Sequence, residues 1–171
     1  MKENIVLIGM SGAGKTTIGR ALSYKLKMAF VDMDSYIEKK YNKQISQIFD
    51  EYGEEYFRKI ETETAKYLSE NYKNTIISTG GGVVLKDENM EYLKSNGTVV
   101  YINRTVENIL STLNAEKRPL LKSNPEKLEK LYEMRKIRHP LYTKYSDICV
   151  LNGGEFRDCV NNIAEALDMY N

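Results

Sequence analysis

The chain has 171 residues, 42% of them hydrophobic, and 25 Lys and Arg against 24 Asp and Glu leave a net charge of +1. That length suits one domain with a substantial core. The balanced charge supplies no global field, so neither nucleic acid nor an anionic membrane surface is expected as a partner, and any anion must be caught by local groups.

In chain order, residues 5–8 (Ile-Val-Leu-Ile) predict a buried strand, and residues 15–26 predict a helix with Ile18, Leu22 and Leu26 on one face. The first strand starts so early that no signal peptide is expected ahead of it. No apolar run approaches the ~20 residues of a membrane span, and a cytoplasmic monomer is expected. Residues 29–32 predict a second strand, and residues 54–72 a helix whose stripe carries Phe57, Ile60, Thr64, Tyr67 and Leu68. A strand at 75–78 runs into Thr79-Gly80-Gly81-Gly82, followed by a helix at 87–94, a strand at 98–102 and a short helix at 105–113. Residues 114–124 are polar and contain Arg118-Pro119, which predicts a flexible loop. Pro125 suits the first turn of a helix that Pro140 is expected to stop at His139. A strand at 148–151 and a helix at 155–170 close the chain. Alternation of this kind implies an α/β fold with a parallel sheet covered on both faces. The two cysteines, Cys149 and Cys159, follow no metal-ligand spacing and are expected as buried or half-buried thiols in a reducing compartment.

Gly9-Met-Ser-Gly-Ala-Gly14-Lys15-Thr16 satisfies the phosphate-loop pattern G-x-x-x-x-G-K-[ST] between a predicted strand and a predicted helix. Such a loop turns consecutive backbone N–H groups toward phosphate oxygens, and the helix adds its positive end. Gly12, Ala13, Gly14, Lys15, Thr16 and Thr17 are therefore expected to bind nucleotide, with Lys15 on the β- and γ-phosphates and Thr16 on Mg²⁺. No Asn-Lys-x-Asp guanine reader follows, which argues against a GTP switch. Asp32 and Asp34 end the second predicted strand; on extended backbone they would point the same way, one toward Mg²⁺ through water and the other toward acceptor hydroxyls. The bland alternative makes Asp34 a helix N-cap. The strand at 75–78 ends without an acidic residue, which leaves Asp32 as the natural metal partner. Arg58 and Glu61 stand one helical turn apart, a spacing that also suits a surface ion pair. Arg138 beside Pro140 also suits a helix-end charge, and His139 is read as local packing.

In order and spacing, the phosphate loop, Asp-x-Asp, Phe-Arg-x-x-Glu, Gly-Gly-Gly, Arg-Pro-Leu-Leu and Arg-x-Pro-Leu-Tyr resemble the shikimate kinases over nearly the whole chain. The resemblance implies a three-layer α/β/α P-loop kinase fold around a central, mainly parallel five-stranded sheet in a single domain over 1–171. Residues 33–61 would be its substrate-binding insert and 114–124 its lid. It implies transfer of the ATP γ-phosphoryl group to the 3-hydroxyl of shikimate. Asp34, Arg58, Gly80, Gly81, Gly82 and Arg138 would line the shikimate site. Lys15, Asp34 and Arg118 would be catalytic, Arg118 would reach the nucleotide phosphates, and Thr16 and Asp32 would organise Mg²⁺. The arginine that members often stack on adenine is absent from residues 105–113, where Ser111 stands near its place. Base contacts are instead expected from backbone around 152–155, including Asn152. The alternative within enzymes is a related small-molecule kinase, such as one acting on gluconate or a nucleoside monophosphate. A nucleotide-binding protein without turnover would have lost Lys15, Asp34 or the lid arginine, and all three are present.

Overall fold

The computed structural model describes residues 2–116 and 125–170; the segment 117–124, with Arg118 and most of the expected lid, and the side chains of 113–116 and 127 lie outside the described residues. Five strands form one sheet: β1 (Asn4–Ile8), β2 (Ala29–Asp32), β3 (Thr75–Ser78), β4 (Gly97–Asn103) and β5 (Ile148–Leu151), in the order β2-β3-β1-β4-β5. Every pairing is parallel. β1 is buried along its whole length, as a central strand covered on both faces must be.

The helices are α1 (Lys15–Leu26), α2 (Met33–Tyr41), α3 (Ile45–Asn71), α4 (Asp87–Asn96), α5 (Val106–Glu116), α6 (Pro125–Tyr145) and α7 (Phe156–Tyr170). α1 packs on β1, β2, β3 and α7, whereas α4 packs on β1, β4 and α3, and α6 contacts β4. The result is the expected three-layer α/β/α arrangement. Because the strands are parallel, their carboxyl ends gather on one edge. The phosphate loop, Asp32, Ser78, Asn103 and Asn152 all fall there, around the central strand from which the strand order runs both ways.

Several expectations change. The segment between β2 and residue 54 is helical, because α3 begins at Ile45 and bends at Gly53 (φ 82°, ψ 172°), a conformation open to glycine. The Gln44 backbone N–H donates to Gln47 Oε1 (2.9 Å) in a reciprocal capping arrangement that starts this helix. Tyr67 is 43% exposed and stacks on Tyr36 at the margin of the stripe, while Phe57, Ile60, Thr64 and Leu68 are buried. Pro140 does not stop α6, which continues to Tyr145. A proline inside a helix costs about 3 kcal/mol, and burial of Tyr142 and Tyr145 beyond it offsets that. Tyr142 stacks on Tyr101 with ring centroids 5.0 Å apart and donates its hydroxyl to the Gly81 carbonyl. Cys149 is exposed because β5 is an edge strand; Cys159 is buried.

Candidate active site

The phosphate loop leaves β1 and closes on itself, Ala13 N–H donating to Met10 O (3.1 Å), before α1 starts from Gly14 with φ 96°. Lys15 is 7% exposed and its ammonium donates to Gly9 O (2.8 Å) and Met10 O (2.9 Å). Burial lowers its pKa to about 8, against the pull of Asp34 and Asp32 in the other direction. Thr16 donates its hydroxyl to Asp32 Oδ2 (2.6 Å) and lies 3.4 Å from Ser78 Oγ.

Asp32, not Asp34, is the N-cap of α2: its side chain accepts from the Ser35 N–H (3.1 Å). Burial works to raise the Asp32 carboxyl, but hydrogen bonds from Thr16, Ser35 and Ser78 outweigh it and hold the group below the ordinary carboxylate range. Asp34 sits in the first helical turn instead of on extended backbone, yet it lines the same cleft as Asp32. Burial, then the charges of Asp32 and Glu61, push its pKa up to about 6 despite Lys15.

Beyond the kink at Gly53, α3 presents Arg58 inward. Its Nη1 donates to Glu61 Oε2 (2.7 Å), and its Nη2 and Nε donate to Glu54 Oε1 (3.1 and 3.3 Å). Glu61 is 1% exposed, so the pair is no surface ion pair. Burial raises the Glu61 carboxyl even though Arg58 and Arg138 pull it down. Glu61 was not among the expected site residues. Its signal was present: it shares the helix face of Phe57, Thr64 and Leu68, where an unpaired carboxylate would be costly.

The glycine turn after β3 brings these groups together. A Cβ at Gly80 would stand 2.9 Å from Asp34 Oδ1 and 3.2 Å from Glu61 Oε1, and one at Gly82 would collide with the Arg58 guanidinium. A Cβ at Gly81 would lie 3.0 Å from Ser11 N and 3.6 Å from Arg138 Nη1. Asp34, Arg58, Gly80, Gly81, Gly82 and Arg138 thus line one small cavity of about 140 Å³, with Ser11, Ile45, Phe57 and Glu61. A larger cavity of about 500 Å³ runs over the phosphate loop. Its walls include Gly12, Gly14, Lys15, Thr16, Thr17, Asp32 and Asn152. Ala13 is fully buried, and Asn152 Nδ2 donates to its carbonyl (2.8 Å). The two cavities share Ser11, Asp34 and Gly81.

His139 lies outside both cavities; its Nδ1 is 2.8 Å from the Tyr101 hydroxyl, consistent with a packing role. Sequence reasoning passed over Ser11, Ile18, Thr79, Arg104, Thr112 and Phe156 on the larger cavity.

A family model described as shikimate kinase matches residues 11–168. The shikimate kinase of Clostridium botulinum (strain Eklund 17B / Type B) is 46% identical over 167 residues, 98% of each chain. That of Haemophilus influenzae (strain PittEE) is 41% identical over 172 residues, covering 99% of this chain and 95% of the relative. Among solved structures, shikimate kinase from Acinetobacter baumannii in complex with shikimate superimposes with a TM-score of 0.87 at 38% identity, over 98% of this chain and 93% of that one. A sugar kinase from Janibacter sp. HTCC2649, 17% identical with a TM-score of 0.64 over 98% of this chain and 95% of that one, shares the fold alone. By sequence and by fold, the chain belongs to the shikimate kinase family.

Proposed function

We propose that this protein transfers the γ-phosphoryl group of ATP to the 3-hydroxyl of shikimate, with the nucleotide in the larger cavity and the acceptor in the smaller. The observation that carries this reading is the meeting of the two cavities at Asp34 and Gly81, with a phosphate loop on one side and two guanidiniums on the other. Arg58 and Arg138 supply planar, permanently charged donors suited to a carboxylate. The glycine turn lets that carboxylate approach the backbone. Asp34 stands between carboxylate and phosphate, where an acceptor hydroxyl must lie, so it orients the hydroxyl and takes its proton. Segment 33–61 then serves as the acceptor-binding insert, and 114–124 as the lid carrying Arg118 to the phosphates.

Phosphoryl transfer is mainly positioning and charge neutralisation. Lys15 places a buried positive charge beside the loop, and exclusion of water protects the γ-phosphate from hydrolysis. Among the described residues no cluster of three or more His, Cys, Asp or Glu forms a cage for a metal. The hydroxyl of Thr16 beside an ionised, hydrogen-bonded Asp32 does fit Mg²⁺, which takes few protein ligands and keeps waters and phosphates. Thr16 would hold it directly and Asp32 through water; bound there, Mg²⁺ would neutralise charge on the phosphate oxygens.

The test is a coupled assay with ATP and Mg²⁺, run side by side on shikimate and gluconate. Turnover on shikimate with little on gluconate is expected. Equal or greater turnover on gluconate, or none on either, overturns the proposal.

A further inference from the structure

The two arginines of the smaller cavity stand on different helices, Arg58 on α3 and Arg138 on α6, and each is followed four residues later by a hydroxyl, Thr62 and Tyr142. The Thr62 hydroxyl donates to Asn89 Oδ1 (2.6 Å) and lies 2.9 Å from the Arg58 carbonyl. Asn89 is fully buried in the first turn of α4, and its Nδ2 donates to Val83 O (2.9 Å), the residue directly after Gly82. On the other side Tyr142, also fully buried, donates its hydroxyl to Gly81 O. Burial pushes that hydroxyl up to about 12 although Arg138 draws it down, so it stays a donor. Between the two braces the backbone is tightly wound, with Val83 N–H donating to Gly80 O (3.3 Å) and Leu85 N–H to Gly82 O (3.0 Å). Thr62, Asn89 and Tyr142 line neither cavity.

We infer that Thr62 with Asn89 on one side, and Tyr142 on the other, are positioning residues that fix Arg58 and Arg138 against the glycine turn and so set the width of the carboxylate clamp. Glu54 and Glu61 orient the Arg58 guanidinium on its own helix, but they do not tie that helix to the turn. The Thr62–Asn89–Val83 chain does. It acts where spacing is tightest, because the Arg58 guanidinium packs on Gly82 with no room for a Cβ. Tyr142 holds the Gly81 carbonyl, and since the peptide unit is planar this also fixes the direction of the Gly82 N–H. A leucine at 89 could fill the space between α3 and α4. A buried amide instead demands partners at both ends, which specifies position. This rests on the smaller cavity taking the acceptor's carboxylate.

Steady-state kinetics on the full chain separates positioning from mere support of the fold, with Thr62→Val, Tyr142→Phe and Asn89→Leu as variants. The first two remove one hydroxyl and keep the shape. Each is expected to raise the shikimate KM about three- to tenfold, the scale of one net hydrogen bond, while ATP binding measured without shikimate stays within about twofold. Asn89→Leu should lose at least as much as Thr62→Val; if it does not fold, Thr62→Val carries the same test. Thr62→Ser, which keeps the hydroxyl, should recover most of the loss. Pairing with the arginines then shows through which group each brace acts. Thr62→Val should add nothing further to kcat/KM for shikimate in an Arg58→Ala background but keep its full effect in Arg138→Ala, and Tyr142→Phe should do the reverse. An unchanged shikimate KM in either isosteric variant overturns the inference. So does a fall in kcat alone with a lower melting temperature, an equal loss for ATP, or the same added effect in both arginine backgrounds. An unaltered protein that does not turn over shikimate overturns the reading of the site itself, and the clamp with it.

Discussion

At the proposed nucleotide end of the cleft, phosphate would be met by loop N–H groups, the start of α1 and one buried lysine, all within residues 9–17. At the acceptor end the cavity is made of side-chain charge drawn from α2, α3 and α6 around a glycine turn. Backbone N–H groups carry no net charge and are fixed by the fold, so the cradle is preorganised at little cost. Charged side chains must be held against burial, and here the compensation is uneven: Arg58 has Glu61 and Glu54, whereas Lys15 only partly offsets the burial and like charges around Asp34. The nucleotide end is therefore local and tolerant of its surroundings, whereas the acceptor end is a balance that any single charge change upsets.

Asp34→Asn should expose that imbalance most strongly. Turnover is expected to fall ~10²–10⁴-fold, the usual worth of a positioned general base. Stability should move the other way. The Asp34 pKa is raised from 3.8 to about 6, so its protonated form stabilises the fold at low pH, and that contribution is lost as pH rises through about 6. At pH 7 the asparagine should raise stability by about 1–2 kcal/mol, allowing for partial exposure. A melting temperature that drops would contradict the burial argument. Lys15→Ala, at the other end, is expected to reduce kcat by ~10²–10³-fold with the circular dichroism spectrum intact. Retention of more than about a tenth of the rate would reject its role, since that is only ~1.4 kcal/mol of barrier.

The same contrast decides what can be read from sequence. The cradle lies in one contiguous stretch, and the strands at 29–32, 75–78 and 148–151 follow from short apolar or β-branched runs bounded by turn signals, so these were legible residue by residue. The acceptor end was not. Arg58–Glu61 and Arg138 look like ordinary helix charges until the glycine turn brings them within reach, and only the ordered family motifs pointed there. α2 and the first part of α3 do carry an apolar stripe at helical spacing that sequence reasoning passed over, Met33, Ile37 and Tyr41 in one and Ile45, Ile48, Phe49 and Tyr52 in the other; their packing on each other holds both short segments. Pro140 misled for a tertiary reason, because the buried Tyr142 beyond it holds the helix together. The Asp32 cap was misplaced by two residues, since either aspartate satisfies the local cap preference and only the contacts with Thr16 and Ser35 choose.

A smaller effect concerns pH. The values for Asp34 (about 6) and Lys15 (about 8) define a window in which the free protein carries an ionised base and a charged lysine. A plot of kcat/KM for ATP should fall below pH ~6 and above pH ~8. In kcat at saturating ATP the alkaline limb should move upward, because bound phosphates favour the charged ammonium. Identical alkaline limbs in the two profiles would count against contact between Lys15 and phosphate.

The division of the cleft is tested most directly by steady-state kinetics on Arg58→Ala and Arg138→Ala, paired with ATP binding measured without shikimate. Each arginine is expected to contribute charge-assisted hydrogen bonds worth about 1.5–3 kcal/mol, so the shikimate KM should rise about ten- to a hundredfold. ATP affinity should barely change, because neither side chain belongs to the larger cavity. An unchanged shikimate KM in both variants, or a loss of ATP affinity equal to the loss for shikimate, would contradict a separate carboxylate clamp.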